Sequence, residues 1–210
     1  MAAWFYTLAT LPLAMSSTLN YTSPIFVGVL TACADIRSGL RTASKLAYVA
    51  LVLGFLGVLI LLRPTAGVDQ SYYILIGLAG AFGAAFSFRD VKRLAILGEP
   101  ETRMVFYFCV FGSIFSAVPM LLQPLNRHSS DSFAVLVAIG LLGAIGQFSL
   151  SRAFGLGNVL LSAALQYTGV IFAALIGMLV WGEIFPLEKI LGMATIVVAG
   201  VLSAIAVKRD

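Results

Sequence analysis

Long apolar stretches dominate this sequence and limit the folds that are open to it. Seven of them approach the length of about 20 residues that an α-helix needs to cross the hydrocarbon core of a bilayer. They cover residues 13–34, 46–62, 72–88, 104–122, 133–154, 159–181 and 190–207. Charged residues make up only 10% of the chain, whereas a soluble domain carries about 25%. The sequence therefore predicts an all-α, polytopic helix bundle that lies in a lipid bilayer.

The basic residues predict how this bundle is oriented. If the helix that begins at Leu13 starts outside, ten Lys and Arg residues fall in inner loops and three in outer loops. The inner set is Arg37, Arg41, Lys45, Arg89, Lys92, Arg93, Arg103, Arg152, Lys208 and Arg209, and the outer set is Arg63, Arg127 and Lys189. Cytoplasmic loops of membrane proteins are enriched in Lys and Arg. The bias predicts a cytoplasmic C-terminus, and it accounts for the net charge of +4 without a nucleic-acid partner.

Residue types that carry catalysis or bind metals are scarce. The two cysteines, Cys33 and Cys109, lie in or beside apolar stretches, and the single histidine, His128, lies in a polar loop. This pattern predicts neither a disulfide framework nor a zinc site. An intramembrane hydrolase would need a nucleophile beside a base, and ATP coupling would need a Walker glycine loop. We therefore predict no enzymatic activity, no metal and no cofactor.

One polar segment occurs twice, 146 residues apart. "LNYTSPIF" at residues 19–26 and "LQYTGVIF" at residues 165–172 share five of eight letters, and Asn20 corresponds to Gln166. Internal similarity at such a long period indicates duplication. The two copies lie five predicted spans apart, so they cross the bilayer in opposite directions. An inverted repeat of this kind is the construction of many secondary transporters, which hold their substrate between the halves.

The two copies extend into longer matching segments. They are "FYTLATLPLAMSSTLNYTSPIFVGVLTA" followed by "GFLGVLILLRP", and "ALQYTGVIFAALIGMLVWGE" followed by "LGMATIVVAGVLSA". These segments resemble the EamA-type repeats of the drug/metabolite transporter superfamily. The resemblance implies ten helices in two inverted five-helix repeats around a central cavity. It implies that residues 1–66 are a partial first repeat and that residues 67–210 are a complete second repeat.

The start of the sequence departs from that family pattern. Residues 1–12 are apolar but too short to span a bilayer before Pro12. We interpret them as the end of a third helix whose beginning is absent, together with the first two helices; a signal peptide is the alternative. Arg37 corresponds to Glu183 at the repeat period of 146 residues. The resemblance implies a glutamate at this position of the first repeat. The expectation is about seven full spans and a partial one.

Polar residues within the predicted spans are the candidates for substrate binding. Ser16 and Asn20 lie one helical turn apart and share a face, as do their counterparts in the second copy. The alternative is that such residues only hydrogen-bond neighbouring helices, and for Tyr6 it is a position in the interfacial aromatic belt. The predicted substrate-binding set is Tyr6, Ser16, Asn20, Tyr21, Gln147, Ser151, Ser162, Gln166 and Tyr167, with Pro24 and Glu183 predicted for gating or coupling.

Two runs of glycine recur every three residues. One is Gly77, Gly80 and Gly83, and the other is Gly140, Gly143 and Gly146. Glycine faces let helix backbones approach one another in membranes. We predict that both runs serve helix packing.

The combined interpretation is a secondary carrier in the bacterial inner membrane. It exports a small metabolite by alternating access between inverted repeats, and the sequence leaves a homodimer open. The alternative is a non-transporting, truncated membrane protein or subunit that lacks a closed pathway.

Overall fold

The computed structural model describes residues 2–39, 44–64, 70–121, 130–182 and 186–209. Within these ranges the regular elements are helices and none is a strand, which confirms the all-α prediction. In chain order they are α1 (Ala2–Thr10), α2 (Leu13–Asn20), α3 (Ser23–Ser38), α4 (Lys45–Leu62), α5 (Ser71–Ile96), α6 (Glu101–Leu121), α7 (Ser130–Leu156), α8 (Val159–Gln166), α9 (Thr168–Trp181) and α10 (Leu187–Arg209).

Five segments of the described chain are long and apolar enough to cross a membrane. They are Lys45–Leu62, Ser71–Ile96, Phe133–Leu156, Val159–Val180 and Leu187–Lys208, and they correspond to five of the predicted stretches. The predicted stretch 104–122 forms most of α6, which is not among these five. The predicted stretch 13–34 is divided between α2 and α3. The total of seven spans and a partial one stays a prediction.

Two predicted spans are interrupted at matching positions. A turn at Tyr21 and Thr22 separates α2 from α3, and a turn at Tyr167 separates α8 from α9. The Val170 N–H donates to the Tyr167 carbonyl, three residues back, instead of four. Both short helices, α2 and α8, have eight residues, and their ends are offset by the period of the repeat. The expected continuous helices are therefore broken helices.

Proline explains the break in the first copy. Pro24 has no N–H, so it cannot donate to the carbonyl of Asn20 as a helical residue at this position would. The N–H of Ile25 donates to Thr22, also only three residues back, at 3.0 Å. The chain consequently leaves α2 and begins α3 with a shifted hydrogen-bond pattern.

Threonine hydroxyls take part in both breaks. Thr22 Oγ1 donates to the Leu19 carbonyl at 2.6 Å, and Thr168 Oγ1 donates to the Leu165 carbonyl at 2.7 Å. An unsatisfied backbone group costs several kcal/mol in hydrocarbon. The hydroxyls supply donors where the regular helical pattern is interrupted.

The corners that precede the broken helices are also matched. Ser16 Oγ donates to the Thr7 carbonyl at 2.7 Å, and Ser162 Oγ donates to the Ala153 carbonyl at 2.8 Å. Each bond reaches nine residues back, from α2 to α1 and from α8 to α7. Each serine thus fixes the angle between two consecutive helices.

Close backbone contact joins α4 to α10, the most extensive helix pair of the described chain. A Cβ atom at Gly57 would lie 2.7 Å from Cγ1 of Ile196 and 2.9 Å from the Gly192 carbonyl oxygen. One turn away, the ring of Tyr167 occupies the space that a side chain at Gly54 would need. Small residues at these positions let the helices pack without a gap.

We expect Gly57→Val to lower the free energy of unfolding by about 1–3 kcal/mol, the usual cost of overpacking. The added side chain meets a backbone carbonyl that cannot rotate aside. Thermal unfolding in detergent measures the loss. Gly140→Val is the control, because a Cβ atom at Gly140 meets no atom within 4 Å. Equal losses of Tm in the two variants would contradict the assigned contact.

Candidate functional site

A cavity of about 1040 Å³ lies between α1, α2, α5, α6 and α7. Small-molecule sites commonly enclose about 300–1,000 Å³. The longest part of the lining comes from α5, and apolar side chains from α1, α6 and α7 complete it. The cavity is large enough for an organic metabolite.

Uncharged polar groups from four helices line this cavity. Trp4 lies on α1, Asn20 on α2, Ser87 on α5, and Gln147 and Ser151 lie one turn apart on α7. The indole nitrogen of Trp4 is shielded from solvent and has no hydrogen-bond partner among the described residues. Asn20 is the last residue of α2, immediately before the first break. The carboxamide and hydroxyl groups of this set can donate to and accept from a polar solute.

Charged groups line the cavity where α5 turns into α6, which we call the turn end. Asp90 is near the end of α5, Glu99 lies in the connection between the two helices, and Arg103 is in the first turn of α6. Arg103 and Glu99 form an ion pair at 2.7 Å, and Asp90 faces Arg93 at 3.5 Å. Both pairs are largely exposed, so they contribute little stability. Within the described ranges no cluster of three or more His, Cys, Asp or Glu residues could hold a metal ion.

Lys92 joins α5 to the corner between α7 and α8. Its ammonium group donates to the carbonyls of Gly155 and Gly157, each at 3.0 Å. The last carbonyls of a helix have no helical partner and carry partial negative charge, so a cation is favourable there. The lysine fixes the end of α7 beside the turn end of the cavity.

The predicted substrate-binding residues do not all meet at this cavity. Asn20, Gln147 and Ser151 line it. Ser16 and Ser162 instead fix the helix corners described above, as the helix-contact alternative expected. Tyr6 does not line the cavity; it is 46% exposed, and its ring lies 5.9 Å from that of Tyr73.

The two tyrosines of the repeat lie next to each other. The rings of Tyr21 and Tyr167 are 6.3 Å apart, centre to centre, and neither residue lines the cavity. Tyr167 is fully buried, and its hydroxyl has no hydrogen-bond partner in the described part of the chain. The same holds for the buried amide nitrogen of Gln166. Tyr21, Gln166 and Tyr167 all lie at the breaks between helices, outside the cavity lining.

The two residues predicted for gating or coupling have different outcomes. Pro24 is buried in the first turn of α3, directly after the first break. Glu183 lies outside the described residues.

Sequence reasoning missed the charged part of the lining. Asp90, Glu99 and Arg103 stand among basic loop residues, where Arg103 was interpreted as an orientation signal. The glycine runs differ as well. All three glycines of the first run line the cavity; a Cβ atom at Gly77 would also meet Leu19 at 2.7 Å, as expected for packing, whereas one at Gly83 meets no atom within 4 Å. The packing predicted for the second run is not found among the described residues, because a Cβ atom at Gly140, Gly143 or Gly146 meets no atom within 4 Å. The i, i+4 polar pair on α7 located two lining residues, and the pair on α2 located one, Asn20.

Several proteins of similar sequence are named as transporters. The chain is 30% identical to a pseudopaline exporter of Pseudomonas aeruginosa over 200 aligned residues. These residues make up 95% of this chain and 68% of the exporter. The chain is 28% identical over 200 residues to a riboflavin transporter of Vibrio cholerae, covering 93% and 64%. It is 23% identical over 202 residues to an S-adenosylmethionine uptake transporter of Rickettsia conorii, covering 94% and 65%. The chain thus spans about two thirds of the length of these relatives.

The fold also has a close counterpart among solved structures. A crystal structure superposes with a TM-score of 0.85 over 99% of this chain and 72% of the other, at 18% sequence identity. The sequence model of the EamA-like transporter family matches residues 71–205. The family match, the named relatives and the apolar helices agree on one assignment. The chain belongs to the EamA-like transporter family of multi-pass membrane proteins, and its relatives are transporters rather than enzymes.

Proposed function

We propose that the chain acts as a secondary carrier that exports a small organic metabolite by alternating access between two inverted repeats. Residues 1–66 form the partial first repeat in this proposal, and residues 67–210 form the second. The observation that carries the proposal is the cavity, whose uncharged polar groups come from both repeats: Asn20 from the first, and Gln147 and Ser151 from the second.

The matched hydrogen bonds support the repeat. The two corner serines, the two threonines at the breaks and the two eight-residue helices are all related by the same offset of 146 residues. The contact between Tyr21 and Tyr167 adds a different kind of support. A residue that touches its own counterpart lies close to the twofold axis that relates the copies.

The broken helices suggest how the repeats move. Discontinuous helices near the bilayer midplane are typical of carriers that rock one repeat against the other. The breaks at Tyr21 and Tyr167 lie next to Asn20 and Gln166, so a change of angle there would move polar groups relative to the cavity. We propose that Asn20, Gln147 and Ser151 contact the solute. The residues at the corners and breaks, including Pro24, transmit the motion.

The relatives and the charge pattern support the proposed direction and location. The relative with 30% identity is named an exporter, which favours outward movement. The excess of basic residues in one set of loops favours a cytoplasmic C-terminus, and the bacterial origin of the relatives favours the bacterial inner membrane. Small-molecule names among the relatives favour a soluble metabolite as substrate.

A metabolite efflux screen in cells that produce the chain is the direct test. We expect one class of solute to accumulate outside these cells more than outside cells with the empty vector. If no solute accumulates outside, the non-transporting alternative is favoured instead.

With the exported solute known, we expect Ser151→Ala to raise the apparent KM for export about fivefold, the equivalent of one hydrogen bond of about 1 kcal/mol. Ser149→Ala is the matched control, because Ser149 is exposed on the same helix and does not line the cavity. Initial rates of export in proteoliposomes measure both. Identical kinetics for the two variants would remove Ser151 from the site.

We expect green fluorescent protein fused after Asp210 to fluoresce in intact bacteria, because it folds in the cytoplasm and not after export through the general secretory route. Alkaline phosphatase fused at the same position should be inactive. An active phosphatase would reverse the proposed orientation.

A further inference from the structure

One wall of the cavity is almost free of side chains. Gly83, Ala84 and Ser87 on α5 all line the cavity, and a Cβ atom built on Gly83 meets no atom within 4 Å. Ser87 folds its hydroxyl back onto the Gly83 carbonyl at 3.2 Å, so this side chain also stays close to the helix. The wall at Gly83 is therefore flat and open to the cavity.

Aromatic side chains line the same cavity. They are Trp4, Phe88, Tyr107 and Phe108. Phe88 is held in one orientation, because its ring stacks on that of the fully buried Phe154 at 4.4 Å with an angle of 8° between the planes. Flat rings and a side-chain-free strip bind planar groups by stacking and close van der Waals contact.

The hydrogen-bonding groups add a second requirement. The carboxamides of Asn20 and Gln147 each offer both a donor and an acceptor. Such a set fits the edge of a heteroaromatic ring, where ring nitrogens and carbonyl or amino groups alternate.

The charges of the lining lie apart from these groups along the helices. Asp90, Glu99 and Arg103 line the turn end, and the lining positions of α5 between Gly77 and Ser87 carry no charge. A neutral ring system would therefore occupy the part beside Gly83, and a polar or charged substituent would point toward the turn end.

We propose that the cavity selects solutes with a planar heteroaromatic ring system, and that Gly83 determines this selectivity by leaving room for the ring. This inference deepens the proposed function and rests on it. The absence of a side chain at position 83 is the specific feature, since any larger residue would fill the space that the ring occupies.

Tryptophan fluorescence can test the proposal on the purified full-length chain. The chain has two tryptophans, so Trp181→Phe leaves Trp4, which lines the cavity, as the only one. Riboflavin and adenosine serve as planar probes, and sorbitol and lysine serve as non-planar ones. We expect the planar probes to change the Trp4 emission saturably and the non-planar probes to leave it unchanged.

Gly83→Leu should then raise the Kd for the planar probes at least about tenfold, as expected when a pocket loses the space for part of its ligand. Gly140→Leu is the matched control, because it adds the same side chain to another helix at a position that is open and does not line the cavity. Size-exclusion chromatography checks that both variants are folded. Gly83→Ala, with a smaller side chain, should give an intermediate Kd and replaces Gly83→Leu if that variant misfolds.

Three results would overturn the inference: no saturable response to either planar probe, an equal response to planar and non-planar probes, or unchanged Kd values in the position-83 variants. A response to lysine or sorbitol alone would reject the planar class and leave the carrier proposal standing. The carrier proposal is tested separately, and it fails if no solute is exported in the efflux screen.

Discussion

Backbone hydrogen bonding in hydrocarbon is the constraint on which this structure depends. No water is available in the bilayer core, so every N–H and C=O group needs a partner within the protein. The chain meets this requirement with helices and departs from them at only a few places in its apolar part. At these places hydroxyl groups contribute. Thr22 and Thr168 bond carbonyls at the breaks, and Ser16 and Ser162 bond carbonyls across the corners.

These departures also position the candidate site. α2 ends at Asn20, and this residue lines the cavity at the end of the helix. The corner held by Ser162 connects α8 to α7, the helix that carries Gln147 and Ser151. The tight packing of α4 on α10 through Gly57 involves two helices that do not line the cavity. One break thus contributes Asn20 to the site, and continuous helices supply the rest of its lining.

Much of the fold could be predicted from the sequence, because burial in lipid requires long apolar helices and these are visible in composition. The period of 146 residues was also visible, and the hydrogen bonds at both corners repeat at that period. The breaks in α2–α3 and α8–α9 were not predicted, because an apolar stretch does not reveal a shifted hydrogen-bond pattern. Pro24, which has no N–H, is the residue type in these stretches that points to an interruption. For the site, the pair Gln147 and Ser151 was found from its spacing.

The rest of the site depends on which helix faces which, and helical spacing alone does not determine this. Tyr21 and Tyr167 have the same pattern as cavity residues, yet they pack against each other. Three glycine positions make the same point: Gly77 contacts α2, Gly83 faces open space in the cavity, and Gly140 faces open space elsewhere. Their spacing is the same, and only the three-dimensional arrangement separates them.

The two hydrogen bonds of Lys92 have a mechanical consequence. A tilt of α7 that left α5 in place would pull the carbonyls of Gly155 and Gly157 away from the same ammonium group and expose three polar groups at once. Tilting both helices together leaves these bonds intact. The lysine therefore links the ends of α5 and α7, so that any change in the angle between these two helices has to break both of its hydrogen bonds.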